Sequence, residues 1–426
     1  MKIILFIILS ILSAQEDYYL DFEIIVNENP LSENIFIHSM GSSGINRYMA
    51  ILGPDLTPIW YVNSGDYGID FKVNNNQLSY FNKLGQYWTI LDSFMQEADT
   101  LGWINGYGYD YHDFLILENG HYITLTYDSL YVDMSQIVQG GSSFAMINGI
   151  GLIEEYDQNH NLLYEWNAWD RLDISDYTHL DLTLDQIAWM HVNSIEIDHD
   201  NNLIVSDRVS SQILKINWPD GNLIWTLGGP MSDFIFVNDS LSGPLLQHDV
   251  RRLDNGNILM YDNHVTNQIN DNTPSRAVEY QLDEDAYIAE LVWEYFHPEG
   301  FVGLAMGSAQ RLSNQNTLIN WGLVPGYGTI FTEVDYEKNI VLDIRYPIGS
   351  QSYKIRKDSW SFDINLITGD SNLDSIVDIL DIMYLVNYIL FSTDEFDMFH
   401  LFKVDINKDA NINISDIMLM VNMVLN

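Results

Sequence analysis

Three histidines of this chain stand at the same position of a repeated strand pattern, where their imidazole groups could meet. His112, His191 and His248 each begin a segment of apolar strand, Asn/Asp/Gly turn and apolar strand. Arg208 follows the second strand of the His191 segment, and Arg276 opens a later strand of the His248 segment. Imidazole and guanidinium groups in one cavity bind an oxyanion, and a neutral imidazole is also a nucleophile. These residue types therefore predict an anion site suited to sulfuryl or phosphoryl transfer.

The elements that must position these side chains are short strands in a recurring order. The clearest copies are HDFLILENGHYITLTYD (112–128), HVNSIEIDHDNNLIVSD (191–207), QHDVRRLDNGNILMYDN (247–263) and SAQRLSNQNTLINWG (308–322), with a weaker copy FKVNNNQLSYFN at 71–82. Further strands ending in Trp or Tyr follow each copy, and RYMAILGPDLTPIWYVN resembles the outer half of a first unit. Six four-stranded units predict an all-β fold, a six-bladed β-propeller over residues 18–362. A β-sandwich array and a β-solenoid are the alternative folds.

The propeller prediction indicates that the three histidines lie near one cavity. The innermost strand of each blade begins near the central pore, so residues at the heads of these strands should face one cavity. A single histidine at such a place commonly caps a strand, but three at one repeat position indicate a shared site. His248 begins a strand that a tight Asp254-Asn255-Gly256 turn connects to the next one, as in a β-hairpin.

Net charge restricts the partners of this protein. The chain has 60 acidic and 18 basic residues, a formal net charge of −42, which argues against nucleic acid and anionic membranes as partners. An anionic substrate would need a local group of basic side chains. The chain has no Cys, which excludes disulfides, thiolate metal sites and a cysteine nucleophile.

The first residues predict export. MKIILFIILSILSAQED has one Lys, an apolar run and then a small residue before a polar stretch, as in a secretory signal peptide cleaved after Ala14. The run is too short for a membrane span, which needs about 20 apolar residues. We therefore expect a signal peptide at residues 1–14 and a secreted or periplasmic protein without a membrane span.

Two acidic loops near the C-terminus predict calcium sites. Oxygen-bearing residues occupy loop positions 1, 3, 5, 7 (through the backbone), 9 and 12 in two copies, each followed by an apolar helix. The predicted ligands are Asp370, Asn372, Asp374, Ile376, Asp378 and Asp381 in the first loop, and Asp405, Asn407, Asp409, Asn411, Asn413 and Asp416 in the second. Ser375 and Ala410 occupy position 6, where such loops usually have Gly. This spacing is typical of an EF-hand-like loop.

The blade segments together resemble the bacterial arylsulfate sulfotransferases. The resemblance rests on HDFLILENGHYITL, on HVNSIEIDHDNNLIVSDRVSSQILKINWPDGNLIWTLGG, on QHDVRRLDNGNILMYDNH with SRAVEYQLDE, and on SAQRLSNQNTLINWG, and it covers roughly residues 30 to 360. It implies a six-bladed propeller that moves a sulfuryl group from an aryl sulfate to a phenolic acceptor without a nucleotide donor. It also implies that His248 becomes a sulfohistidine, that His112, His191 and Arg208 bind the sulfate, and that Arg276 supports the site.

The C-terminal loops resemble a type I dockerin, here over residues 369–426. That resemblance implies a small all-α domain that binds calcium ions and docks onto a cohesin-like protein.

Two other functions remain open on the sequence. One is a non-catalytic secreted propeller that binds an anionic ligand or a protein partner. The other is a hydrolase such as a sulfatase or a lactonase, although a lactonase-like propeller would use Asp, Asn and Glu around a central calcium ion where this chain has His.

Overall fold

The computed structural model describes residues 22–41, 47–65, 67–102, 109–265, 273–361, 367–372, 374–391, 403–407 and 411–425. The predicted signal peptide at 1–14 lies outside the described residues, as do Asp409 and Ala410 of the second acidic loop. The predicted domain limits stay predictions.

The strands form six sheets, which we number as blades I to VI. Blade II contains β5 (Tyr67–Asn74), β6 (Gln77–Asn82), β7 (Tyr87–Leu91) and β8 (Glu97–Gly102). Blade III contains β9 (Tyr109–Ile116), β10 (Tyr122–Val132), β11 (Ala145–Tyr156), β12 (Leu162–Asn167) and the added β13 (Gln186–Ala188). Blade IV contains β14 (Val192–Ile197), β15 (Leu203–Asp207), β16 (Gln212–Ile216) and β17 (Leu223–Leu227).

Blade V contains the added β18 (Ile235–Val237), then β19 (His248–Arg252), β20 (Ile258–Asp262), β21 (Arg276–Asp283) and β22 (Ile288–Phe296). Blade VI contains β23 (Ser308–Arg311), β24 (Thr317–Asn320), β25 (Ile330–Val334) and β26 (Ile340–Arg345). Blade I contains β2 (Asn34–Gly41), β3 (Tyr48–Leu52) and β4 (Pro58–Asn63). Short helices, α1 (Ala168–Arg171) and the 3-10 turns Met134–Gln136 and Ile174–Asp176, lie in the insertions of blade III.

The two ends of the propeller chain close the ring. Strand β1 (Glu23–Asn27) pairs with β26 at the outer edge of blade VI. Strands β27 (Ser350–Gln351) and β28 (Ile355–Asp358) both pair with β2 and supply the inner edge of blade I. The inner strands β28, β5, β9, β14, β19 and β23 then contact one another in that cyclic order. The predicted six-bladed propeller is confirmed.

Apolar side chains between neighbouring blades form the core. Large buried aromatic residues occur around the whole ring, and they include Trp60, Trp88, Trp166, Trp225 and Trp321. Aliphatic side chains of adjacent strands surround them, and strands such as β3, β15 and β20 are buried along their whole length because both faces of a blade pack against another blade. The pore-facing ends of the inner strands are thereby held in a rigid ring.

The predicted His248 hairpin is present and contains a bulge. Gly256 adopts a left-handed φ of 87° in the turn, where its N–H donates to the carbonyl of Leu253 at 2.8 Å. The register of β19 against β20 shifts between His248 and Arg251, and Asp249 has a φ of 58°. A bulge redirects the side chains beside it. His248 and Asp249 consequently follow directions that a regular strand would not give them.

A small helical region follows the propeller. Helices α2 (Ile379–Phe391) and α3 (Ile414–Leu425) pack around buried Leu385, Val404 and Met420. Among the residues described, no helix is both long enough and apolar enough to cross a membrane.

Candidate active site

His248 lies at the head of β19 and is almost fully buried, with 2% of its surface exposed. Its Nδ1 is 2.6 Å from Oδ1 of Asn263, the residue that directly follows β20. Its Nε2 accepts a hydrogen bond of 3.2 Å from the backbone N–H of Met306 in the loop before blade VI. Both ring nitrogens therefore have a defined partner.

The contacts of Asn263 determine which tautomer His248 adopts. The amide nitrogen of Asn263 donates to the carbonyl of Gly303 at 2.8 Å and to that of Met306 at 3.1 Å. The amide oxygen must then face the imidazole, and because it can only accept, Nδ1 of His248 carries the proton. The lone pair is therefore on Nε2, and it can act as a nucleophile once the N–H of Met306 gives way.

His248 is neutral over the physiological pH range. Burial lowers its pKa well below the usual imidazole value. The hydrogen bond that His248 donates to Asn263 favours the protonated form, while the positive charge of Arg208 and the neighbouring His112 and His191 act with burial. A lowered pKa keeps Nε2 unprotonated at pH 7.

His112 and His191 lie next to each other in the same cavity. Their ring centroids are 4.5 Å apart in an edge-to-face arrangement. Asp110 makes a very short hydrogen bond to Nδ1 of His112, so this carboxylate orients that ring. Burial, and then the adjacent His112, lowers the pKa of His191 to about 4. His191 is therefore a neutral hydrogen-bonding group at pH 7.

Arg208 supplies the positive charge of this cluster. Its Nη2 donates to the carbonyl of Leu304 at 3.1 Å, and its buried Nε has no hydrogen-bond partner within the described part of the chain. Within that same part no carboxylate forms an ion pair with it, and burial lowers its pKa, although the group stays charged. Since this half-buried guanidinium has no carboxylate beside it among the described residues, the side chain is suited to an anionic ligand.

Arg276 has different surroundings from those the sequence suggested. It is fully buried in blade V, where its guanidinium pairs with Asp239 at 2.9 Å, Asp262 at 2.9 Å and Glu294 at 2.7 Å. These carboxylates already use its donors, so Arg276 ties strands β20, β21 and β22 together. The structure brings His112, His191, Arg208 and His248 into one cluster and does not bring Arg276 into it.

Sequence reasoning missed a buried group of ion pairs below the cluster. Asp113 lies 2.6 Å from Nζ of Lys72 and 2.7 Å from Nη2 of Arg251, which also contacts Asp249 at 2.8 Å. Lys354 donates to the carbonyl of His112 at 2.7 Å. Burial alone would raise the pKa of Asp113, but the Arg251, Lys354 and Lys72 cations outweigh burial and hold it well below its usual range. These contacts connect β5, β9 and β19 next to His112.

The C-terminal loops have matching internal contacts. Asp381 accepts hydrogen bonds from the backbone N–H groups of Ser371, Asn372 and Asp378. Asp416 does the same for Ile406, Asn407 and Asn413. Both carboxylates lie in the first turn of a helix, each completing the loop that precedes it. In the described parts of the two loops, these carboxylates therefore make corresponding contacts, in line with the in-phase spacing of the sequence.

These features agree with a comparison against known protein families. The sequence profile of Arylsulfotransferase (ASST) matches residues 57–354, which form most of the propeller. The chain belongs to the arylsulfotransferase family. A second profile, the dockerin type I domain, matches residues 368–425, so the helical region is a type I dockerin domain.

Solved structures add only remote likenesses to this arylsulfotransferase. A protein of unknown function from Bacteroides caccae is 13% identical, with a TM-score of 0.45 over 76% of this chain and 99% of that chain. A streptogramin B lyase is 10% identical, with a TM-score of 0.40 over 78% of this chain and 89% of that one. A virginiamycin B lyase from Staphylococcus aureus is 9% identical, with a TM-score of 0.39 over 80% and 93%. A search of curated proteins finds no match.

Family membership supports aryl sulfotransferase activity in general, with aryl sulfates and phenols as substrates. Type I dockerin domains generally bind calcium and typically attach to cohesin domains, and both families are typically extracellular or periplasmic.

Asn263, Asp110 and Met306 contribute to the site without having been predicted. Asn263 ends the quoted hairpin segment, and a residue after the second strand of a hairpin lies opposite the head of the first. This relation between the two ends of a hairpin could have identified Asn263 from the sequence.

Proposed function

We propose that this arylsulfotransferase transfers a sulfuryl group from an aryl sulfate to a phenol through a sulfohistidine at Nε2 of His248. The observation that supports it most directly is the pair of contacts on His248, which places the proton on Nδ1 and the lone pair on Nε2. Arg208 and His191 bind the sulfuryl oxygens, as a guanidinium and a neutral imidazole do for an oxyanion.

In the first half-reaction, Nε2 of His248 releases the N–H of Met306 and attacks sulfur. The nitrogen–sulfur bond forms as the bond from sulfur to the aryl oxygen breaks, and the leaving oxygen takes a proton from the His112 imidazolium. Asp110 on Nδ1 stabilises that imidazolium and orients the ring. The sulfated His248 ring is positive, and its Nδ1–H stays hydrogen-bonded to Asn263.

In the second half-reaction, the oxygen of the acceptor phenol attacks the same sulfur. The nitrogen–sulfur bond breaks, the electron pair returns to Nε2, and the phenolic proton passes to His112. This step restores both imidazoles to their starting states, so no further reactant is needed. A single site serves donor and acceptor in turn, which is a ping-pong scheme.

A donor-only experiment tests the covalent step. After reaction with a chromogenic aryl sulfate and a quench, the peptide containing His248 should gain the mass of one SO₃ group, stable in base and labile in acid. His248→Asn should abolish labelling and lower transfer by more than about a thousandfold. The control, His160→Asn, removes a half-buried histidine that pairs with Asp99 at 2.9 Å. Wild-type labelling in His248→Asn would exclude this mechanism, and donor turnover without added phenol would indicate a hydrolase.

We also propose that the dockerin domain binds two calcium ions and attaches the enzyme to a cohesin-like partner outside the cell. The candidate ligands all offer oxygen, which is the donor that calcium prefers, and both loops lead into helices. Asp370, Asn372, Asp374, Asp378 and Asp381 would hold the first ion with the backbone of Ile376, and the corresponding residues of the second loop would hold the other. Calcium here supplies folding and docking, not chemistry in the propeller.

A further inference from the structure

The ring of Tyr111 lies flat against the ring of His112. Their centroids are 4.3 Å apart and their planes differ by 22°, which is a stacked arrangement. Both residues belong to β9, and neighbouring side chains of a regular strand point to opposite faces. The register of β9 against β10 shifts between Phe114 and Tyr109, and such an irregularity redirects side chains. The strand is therefore distorted at the place where two consecutive rings meet.

Other aromatic rings hold Tyr111 in this position. Tyr353, between β27 and β28, approaches Tyr111 edge-on at 5.7 Å and 85°, and it approaches His112 in the same way at 5.3 Å and 79°. Phe81 of blade II lies 6.2 Å from the Tyr111 ring. The hydroxyl of Tyr111 makes no hydrogen bond within the described part of the chain, and the side chain is partly exposed. The ring, and not the hydroxyl, is what Tyr111 contributes to these contacts.

Among the clustered histidines, His112 is the one that carries positive charge in the proposed reaction. Burial lowers the pKa of His191 to about 4 and that of His248 well below the usual value, so both are neutral at pH 7. Asp110 contacts Nδ1 of His112, so the proton that reaches the leaving oxygen is the one on Nε2. The face of an aromatic ring is negative and attracts a cation within about 6 Å of its centroid. The stacked ring of Tyr111 satisfies this condition.

We infer that Tyr111 is a positioning residue for proton transfer to the leaving oxygen. This role rests on the proposed function, because it requires His112 to be the proton donor. As the bond from sulfur to the aryl oxygen breaks, its electron pair goes to that oxygen, which takes the Nε2 proton, and the imidazole becomes neutral. Tyr111 acts only through His112: its ring fixes the plane of the imidazolium and stabilises the positive charge before the transfer. Its effect should grow with the need of the leaving oxygen for a proton.

Two donors that differ in the basicity of their leaving oxygen test this role. Phenyl sulfate releases a basic phenolate that needs a proton, whereas 4-nitrophenyl sulfate releases a stable phenolate. Tyr111→Leu should slow labelling of His248 by phenyl sulfate by about tenfold, as loss of a cation–π contact does, and slow labelling by 4-nitrophenyl sulfate by less than about threefold. Tyr111→Phe keeps the ring, so both rates should stay within about twofold of the wild type. The control Tyr131→Leu removes a tyrosine that stacks on Phe144 at 4.2 Å, and it should change neither rate.

A graded series tests the same role without removing the ring. Phenylalanines with increasing numbers of fluorine atoms at position 111 keep the shape of the ring while weakening its negative face. Labelling by phenyl sulfate should slow stepwise along this series, even if Tyr111→Leu unfolds. A flat series, or equal slowing with both donors, overturns the role of Tyr111 and leaves the sulfohistidine reaction intact. A wild-type protein that neither donor labels on His248 refutes the proposed reaction, and the role of Tyr111 falls with it.

Discussion

Nδ1 of His248 lies 2.6 Å from Oδ1 of Asn263, an amide that two backbone carbonyls hold in one orientation. This contact does for the imidazole what a carboxylate does in a serine hydrolase triad, because it selects the tautomer with an unprotonated Nε2. A neutral amide differs from a carboxylate in one respect: it adds no negative charge, so the ring keeps its lowered pKa.

Asn263→Ala should lower kcat/KM by about a hundredfold, since the imidazole can then adopt the wrong tautomer. The rate of sulfohistidine formation with donor alone should fall by the same factor. Asn320→Ala is a matched control, because Asn320 ends the equivalent strand of blade VI and donates to the carbonyls of Ser352 and Tyr353 without contacting His248. Both variants should lose about 1–3 kcal/mol of unfolding free energy. Equal activity losses in the two would mean that Asn263 acts only through stability.

Arg208 and Arg276 should differ sharply when replaced by Ala. Arg208→Ala removes the group proposed to bind the sulfuryl oxygens, so kcat/KM should fall by about a hundredfold or more with little change in Tm. Arg276→Ala leaves three carboxylates without their cation and should cost about 3–5 kcal/mol of stability. Thermal unfolding and steady-state kinetics on both variants measure the contrast. A wild-type kcat/KM in Arg208→Ala would move the anion site elsewhere in the pore.

The pH dependence follows from the lowered pKa values. His191, with a pKa of about 4, and His248, whose pKa burial lowers well below the usual imidazole value, stay neutral as the pH falls from 8 through 6.5, so the free enzyme should keep the nucleophile over that range. The unfolded chain binds protons on these histidines near the usual imidazole value of 6.5, whereas the folded protein does not. Stability should therefore fall as the pH drops below about 6.5, and it should be unaffected by these groups above that value. A kcat/KM that falls as the pH is lowered, with a midpoint near pH 6.5, would contradict a buried neutral His248.

Calcium titration of the intact chain by calorimetry should show two bound ions. Asp381→Asn and Asp416→Asn should each remove one of them, because each weakens the last ligand position of one loop. The control Asp285→Asn changes an exposed acid on blade V and should leave both ions bound. Two ions retained in the double variant Asp381→Asn/Asp416→Asn would refute the assignment of ligands.

Much of the fold was predictable because its signals are local. Each unit is a segment of about 20 to 50 residues that contains alternating apolar residues, Gly-containing turns and a Trp or Tyr at its end. Repetition of such segments indicates a propeller. The proximity of His112 within β9, His191 just before β14 and His248 at the head of β19 was predictable for the same reason, since equal repeat positions lie on equal places of a ring. The same holds for Asp381 and Asp416, whose spacing within a loop is itself the signal.

The sequence by itself determined the number of blades, the histidines of the pore and the two oxygen-rich loops, because periodicity and short spacing carry that information. Tertiary structure alone decided how the ring closes, with β28 from the end of the propeller segment pairing beside β2. It also decided that the backbone N–H of Met306, in the loop before the next blade, contacts His248. Tertiary structure likewise decided that Arg276 forms ion pairs with carboxylates while Arg208 does not. Such choices depend on which distant side chains burial brings within hydrogen-bonding distance, and no local pattern records them.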